Sequence, residues 1–288
     1  MRIDWRYELR MLGGLAGRER AVRRREYRWR ALQRLYPVVL AEGEGGRFLV
    51  RTSDEAVGRA LFVHGQFDLA QMDRAIAILR RELGPAVTGR TFLDIGANVG
   101  TTTVAALRRH GFRRAIAFEP EPHNLELLAH NLLLNGVRDR VQVHAGAASA
   151  AAGAAMLTIT PEHGGDNRVV LGAGGSVRLV ALDAVLDPGD EYVVWADVQG
   201  HEGHVLLGAG ALLARATPAE MEFWPAQLRR AGTLDTFIEV VARHYTRVVD
   251  LGQPHELTDP RELVPAQLPA LVRELPDNVM HDLILLPR

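Results

Sequence analysis

The chain has 288 residues, 47% of them apolar and 24% charged, with a formal net charge of −1; this is the composition of a globular protein, neither disordered nor fibrous. It contains no cysteine and no lysine, so all 34 basic residues are arginine. Disulfides, zinc–thiolate sites, iron–sulfur clusters, a cysteine nucleophile, a lysine Schiff base and a Walker lysine are therefore all excluded.

Residues 1–41 read as helices. Residues 1–30 carry ten arginines against Asp4, Glu8, Glu19 and Glu26, about +6, while the remainder carries −7. Such an arm could meet an anionic partner, but an arginine-rich solvated helix packed by Trp5, Leu9, Tyr27 and Trp29 is the simpler expectation. Residues 41–46 (AEGEGG) predict a turn, 47–51 (RFLVR) a strand and 61–83 a helix ending before Gly84-Pro85. From residue 90 the pattern changes to short apolar runs alternating with helical segments. Strands are expected at 91–95, 114–118, 141–145, 177–182, 192–196 and 219–223, with helices at 101–110, 122–135 and 202–213. That alternation predicts an α/β fold with a mostly parallel sheet covered on both faces, and ligands at the carboxyl ends of its strands. We divide the chain into an N-terminal helical arm or lid with a short strand (1–88) and a Rossmann-like domain (89–288). No run of 18 apolar residues and no signal-peptide pattern occurs, so no stable membrane insertion and a cytoplasmic location are expected.

The most informative segment is Phe92-Leu-Asp-Ile-Gly-Ala-Asn-Val-Gly-Thr101. Asp94 ends a strand, and Gly96 and Gly100 allow a tight turn and close ligand approach. Glu119 ends the next strand, where an acid can accept both hydroxyls of a ribose. The G-x-G-x-x-G spacing of a dinucleotide site is absent, and a negative charge at Asp94 suits an amino-acid ammonium better than a pyrophosphate.

The stretch LDIGANVG…AFEPEPHNLELLAHNLLLNG resembles S-adenosylmethionine-dependent methyltransferases of the class I Rossmann-like fold, and more narrowly the FkbM family. That family shows D-x-G-A-N-x-G, then F-E-P, an asparagine-rich helix, and later L-D, a strand and D-x-E-G-x-E. Here these become Leu182-Asp183 and Asp197-Val-Gln-Gly-His-Glu202, and the similarity runs over about residues 55–286, to a closing antiparallel strand at 282–285. The resemblance implies S-adenosylmethionine as cofactor, with Asp94, Gly96, Asn98, Gly100 and Thr102 along its methionine part, Glu119 on the ribose, and the segment His144-Ala145-Gly146-Ala147, His144 and Ala145 foremost, beside the adenine. It also implies O-methylation of hydroxyls on sugars and secondary metabolites. Two positions depart from the family: its lysine two residues before the Asp is Trp195, and its Glu is Gln199. The two look like a charge pair replaced together, which can be nearly free if the pair was structural.

Methyl transfer to oxygen is an in-line displacement to which orientation contributes about 7–11 kcal/mol, and the alcohol must lose a proton to a base. Asp197, His201 and Glu222 follow the relevant strands and are the catalytic candidates. A divalent metal on Asp197, Glu222 and Asn167 is the rival arrangement, but spacing does not define it and no metal is assigned. Residues 161–168, His64 and Gln66 are candidates for the substrate rim. The expected partner is a small-molecule acceptor. The near-neutral charge argues against nucleic acid, and the N-terminal helices could form a homodimer. N-methylation, a non-catalytic binding module and a nicotinamide oxidoreductase are the alternatives.

Overall fold

The computed structural model describes residues 5–160, 167–172, 175–215, 217–254 and 256–287; the side chains of residues 5–16 and 18, Trp5 and Leu9 among them, lie outside the description. The chain opens with helix α1 (Trp5–Gln33). Its last turns dock through Trp29, fully buried and 5.5 Å from the Phe62 ring, while Tyr27, Leu35 and Tyr36 stay exposed. The helix does not run to residue 41. Pro37 cannot continue it, and residues beyond it form a hairpin of β1 (Val38–Gly43) and β2 (Gly46–Arg51). The helix expected over 61–83 is two, α2 (Val57–His64) and α3 (Leu69–Leu83). Gly65 ends the first with φ 77°, and Asp68 precedes the second with φ 51°.

The central sheet then begins. β3 (Thr91–Ile95), α4 (Thr101–Arg108), β4 (Ala115–Glu119), α5 (Pro122–Leu134) and β5 (Val141–Ala145) follow the expected alternation. A second, mixed sheet comes next, comprising β6 (Ala147–Ala148), β7 (Gly153–Thr158), β8 (Arg168–Val170) and β9 (Val177–Val180) in the order β6-β9-β7-β8, with β6 parallel to β9 and the other pairs antiparallel. β10 (Tyr192–Ala196) returns to the main sheet. The expected single helix over 202–213 is split at Gly208 into α6 (Glu202–Leu207) and α7 (Gly210–Ala214). β11 (Ala219–Phe223), α8 (Pro225–Arg230), α9 (Leu234–His244), β12 (Arg247–Asp250), β13 (Arg261–Leu263), α10 (Leu268–Glu274) and β14 (His281–Leu286) complete the chain. The eight-stranded order is β13-β12-β14-β11-β10-β3-β4-β5. The five strands from β11 to β5 are parallel, and β14 pairs antiparallel with β11. The fold is thus α/β with a mostly parallel sheet. No helix among the described residues is long and apolar enough to cross a membrane.

Because strand residues alternate sides, the sheet has two cores. One unites Leu93, Ile95, Val194, Met221 and Leu283 with α6–α10. The other unites Phe92, Val193, Ala117 and Ile284 with Ile76 and Leu79 of α3, Leu128 of α5 and Phe48 of β2. The N-terminal segment therefore shares its core with the sheet. β2 is held there by side chains acting as a strand. Asn131 accepts from Leu49 N–H (2.6 Å) and donates to the carbonyls of Leu49 (3.1 Å) and Val99 (2.9 Å), and Asn135 exchanges two bonds with the Arg47 backbone (3.0 and 2.7 Å). Asn131 is fully buried. Asn131→Ala leaves backbone groups at Leu49 and Val99 without partners, and is expected to cost about 2–4 kcal/mol in urea unfolding; a loss below about 0.5 kcal/mol would contradict this role.

Candidate active site

A cavity of about 410 Å³ opens at the carboxyl ends of β3, β4, β10 and β11. That volume lies in the range of small-molecule sites. Its first wall is the turn after β3. The Gly96 and Ala97 N–H groups both donate to the Phe118 carbonyl at 3.0 Å. At Gly96, φ is +93°, and a β-carbon would fall 2.0 Å from the Asp197 carbonyl oxygen, so only glycine lets the β3 and β10 ends meet. Asn98, at φ 50°, aims its N–H at Glu119 Oε2 (2.8 Å), while Glu121 N–H donates to Oε1 (2.8 Å). Two backbone donors therefore fix the Glu119 carboxyl and leave it further acceptor capacity. The non-glycine residues with positive φ among the described ones are Asp68, Asn98 and Gln199, and all three line this cavity. Strain gathered at one place is what a functional site retains.

The second wall is acidic. On the face that carries α3, Asp94, Trp195, Glu220 and Ile284 are register partners across β3, β10, β11 and β14, and Glu222 pairs with Asp282 one row further on. Gln71 of α3 donates to Asp282 Oδ2 at 3.0 Å. Gln199 donates to Asp197 Oδ1 (2.7 Å) and to Glu222 Oε1 (3.2 Å), so one amide clasps two carboxyls. Trp195 and Gln199, the two departures from the family pattern, do not pair with each other. Gln199 supplies a donor that a glutamate would lack, and Trp195 offers its ring to the cavity between Asp94 and Glu220.

Burial dominates the electrostatics. It raises Asp94 to about 7, helped by the nearby Asp197 charge and opposed by the Thr103 hydroxyl that donates to it. Burial also raises Glu119 to about 7 and Glu202, whose Oε1 accepts from Val198 and Gly200 N–H, to about 8. Glu220 and Glu222 lie well above the ordinary carboxyl range, first through burial and then through neighbouring acids. His201, buried and 3.1 Å from Ser149 Oγ, is depressed to about 3 by burial and His204.

The structure brings Asp94, Gly96, Asn98, Thr102, Glu119, Asp197, His201 and Glu222 to this one cavity. Gly100, at φ 92°, shapes the start of α4 behind the lining. His144 and Ala145 are not on the lining. His144 stacks on Phe118 at 4.7 Å and Ala145 is exposed, whereas Gly146 and Ala147 of the same expected segment, together with Ala148, form the wall, because β5 ends in register with Glu119 and the chain turns inward only after it. Of the rim candidates, Asn167 lines the cavity, His64 is exposed, Gln66 caps Leu69 N–H (3.2 Å), and residues 161–166 lie outside the described residues. Glu220, Asp282, Asp68 and Gln71 are lining residues that sequence reading missed. The signal for the first was present: acids at alternate positions, 220 and 222, within an otherwise apolar central strand.

The family profile described as "Methyltransferase FkbM domain" matches residues 94–248, a little over half of the chain. The chain belongs to the FkbM methyltransferase family. Its fold is also similar to that of solved structures at low identity. Against a methyltransferase FkbM from Methylobacillus flagellatus, identity is 14% and TM-score 0.43, over 79% of this chain and 65% of that one, so the FkbM chain described here spans just under two thirds of that relative. Against a precorrin-6y C5,15-methyltransferase from Geobacter metallireducens the values are 15% and 0.37, over 72% and 88%. Against an RNA methyltransferase from Salinibacter ruber in complex with S-adenosyl-L-homocysteine they are 16% and 0.32, over 54% and 74%. No curated protein matches this FkbM-family chain significantly.

The raised carboxyls give a pH signature. In the fold Asp94, Glu119 and Glu202 keep protons that the unfolded chain has already released, so their stabilisation is complete only below the unfolded values of 3.8 and 4.5 and is lost progressively as pH rises to 7 to 8. The depressed His201 acts in the opposite sense, but only below the ordinary histidine value of 6.5. Stability of the ligand-free protein is therefore expected to fall between about pH 6.5 and 8.5, and Glu202→Gln to flatten that slope. Urea unfolding across this range checks it; a level or rising profile would contradict the assignment.

Proposed function

We propose that this methyltransferase uses S-adenosylmethionine to methylate a hydroxyl of a small molecule. The observation that carries the reading is the convergence, in one cavity, of a glycine-only turn, a strand-end carboxyl held by two backbone N–H groups, and a clasped pair of carboxyls opposite. The turn at Gly96 lines the cavity without a side chain, which lets a cofactor approach the backbone closely. Glu119 keeps acceptor capacity for ribose hydroxyls after taking its two backbone donors. Asp94, Asn98 and Thr102 would line the methionine part, and Gly146–Ala148 the adenine side.

When bound, S-adenosylmethionine supplies an electrophilic methyl carbon. The protein must then hold the acceptor oxygen in line, exclude water and take one proton. Asp197 is the group assigned to take that proton, since it is exposed to the cavity and Gln199 fixes one of its oxygens. Glu222, buried and raised, shares that amide and orients the pair. His201, with its value near 3, is a poor proton acceptor at neutral pH and is read as a positioning residue through Ser149.

Glu119→Ala is expected to abolish calorimetric binding of S-adenosylhomocysteine, whereas Asp197→Asn should bind it normally and lower kcat by about 10²–10⁴-fold. Unchanged S-adenosylhomocysteine binding in the first variant would remove the ribose assignment. Full turnover in the second would move the reading to N-methylation, where an amine carries its own lone pair.

A further inference from the structure

The cavity holds more carboxyl groups than the proposed cofactor can answer. Seven carboxyl side chains line it, from Asp68, Asp94, Glu119, Asp197, Glu220, Glu222 and Asp282. Among the described lining residues there is no arginine, although the chain has 34. The lone histidine there, His201, stays neutral because burial depresses it. S-adenosylmethionine brings a sulfonium and an ammonium against one carboxylate, a single net positive charge.

Position separates the acids into two groups. Asp94 and Glu119 belong to β3 and β4, beside the glycine turn. Glu220 and Glu222 lie on β11 and Asp282 on β14, two and three strands away from β3. At about 4.8 Å per strand, Glu220 stands roughly 10 Å across the sheet from Asp94, too far for one small cation to serve both. The distal group is only partly compensated: Asp282 accepts from Gln71 and Glu222 Oε1 from Gln199. Glu220 is 2% exposed, lines the cavity, and receives no hydrogen bond from any described residue. Glu222 Oε2, also buried, has no partner either. Burying carboxyl oxygens without donors is costly, so this end of the cavity keeps acceptor capacity for a donor from outside. Among the described residues no set of three or more acids or histidines converges as metal ligands. The Trp195 ring lies in register with Glu220 and lines the same space, and an aromatic face beside carboxyls suits an organic ammonium.

We propose that the Glu220, Glu222, Asp282 and Trp195 end of the cavity binds an ammonium group of the acceptor, so that the substrate is a hydroxyl-bearing amine of the amino-sugar or amino-alcohol class. The ammonium is an anchor and takes no methyl; it would hold the neighbouring hydroxyl toward Asp197. The proposal rests on the methyltransferase reading for what happens to that hydroxyl, but the cation site itself does not depend on it.

The test uses matched amine and alcohol pairs, glucosamine against glucose and serinol against glycerol, at about pH 7 and constant ionic strength. Thermal midpoints of the full chain are recorded with each compound, with and without S-adenosylhomocysteine. At least one amine should raise the midpoint by about 2 °C or more beyond its neutral twin. Glu220→Gln and Asp282→Asn should each remove that difference while keeping the S-adenosylhomocysteine shift. Equal shifts within both pairs, or an amine preference that survives in both variants, would overturn the proposal. If one variant does not fold, the other and the wild-type comparison still decide. Loss of the S-adenosylhomocysteine shift in the wild type, with the amine preference intact, would count against the cofactor reading alone and leave the ammonium site standing.

Discussion

A β-carbon at position 96 would collide with the Asp197 carbonyl at 2.0 Å, and the rest of the cavity is arranged around that near contact. Glycine there lets the β3 and β10 ends come together. The chain then leaves each strand through a left-handed non-glycine residue, Asn98 on one side and Gln199 on the other. Those two residues do the next piece of positioning. Asn98 directs its N–H to Glu119, and Gln199 spreads its amide between Asp197 and Glu222. One steric constraint thus places a carboxyl for a ribose on one side and a pair of carboxyls on the other.

Charge is distributed with the opposite logic inside and outside. On the surface, arginines meet acids directly, as in Arg109 with Asp73 and Arg247 with Glu262 (3.0 Å). Such exposed pairs contribute little. Among the described residues of the cavity the acids face one another without arginine, and burial raises several of them well above the ordinary carboxyl range. Trp195 and Gln199 fit this pattern as two separate solutions. One offers an aromatic surface, the other a neutral donor, and neither substitutes for the other.

Most of the sheet was legible from sequence because short apolar runs between glycine turns leave few alternatives. β3, β5, β10 and β11 have the boundaries expected of them. The N-terminal region was less legible. Pro37 ended a helix that the amphipathic pattern would have carried further, and the β1–β2 hairpin finds its partners in Asn131 and Asn135, about 80 residues away in sequence and outside any local signal. The site followed the same division. Asp94, Gly96, Asn98 and Glu119 come from one local motif and meet as that motif implies. His144 and Ala145 fell off the lining because a strand end is displaced from the cavity by one or two residues, a distance pattern reasoning does not resolve. Asp282, Asp68 and Gln71 reach the cavity only through strand order and the fold of α3 over the sheet, which no local spacing encodes.

The asparagine clamp on β2 has a mechanical side. Its hydrogen bonds reach the backbone of Leu49 and Arg47 rather than their side chains, so the hairpin is gripped whatever its sequence and cannot slide along α5 without breaking several partly buried bonds together. The cover of the cavity is therefore anchored at residues 47–51, while its inner edge at Asp68, Gln71 and Met72 follows the turn at residues 65–68, where two left-handed residues already redirect the chain. Anchor and turn are thus separate pieces of sequence: residues 47–51 can be altered without touching the cavity lining, whereas the turn carries Phe67 and Asp68, which both belong to it.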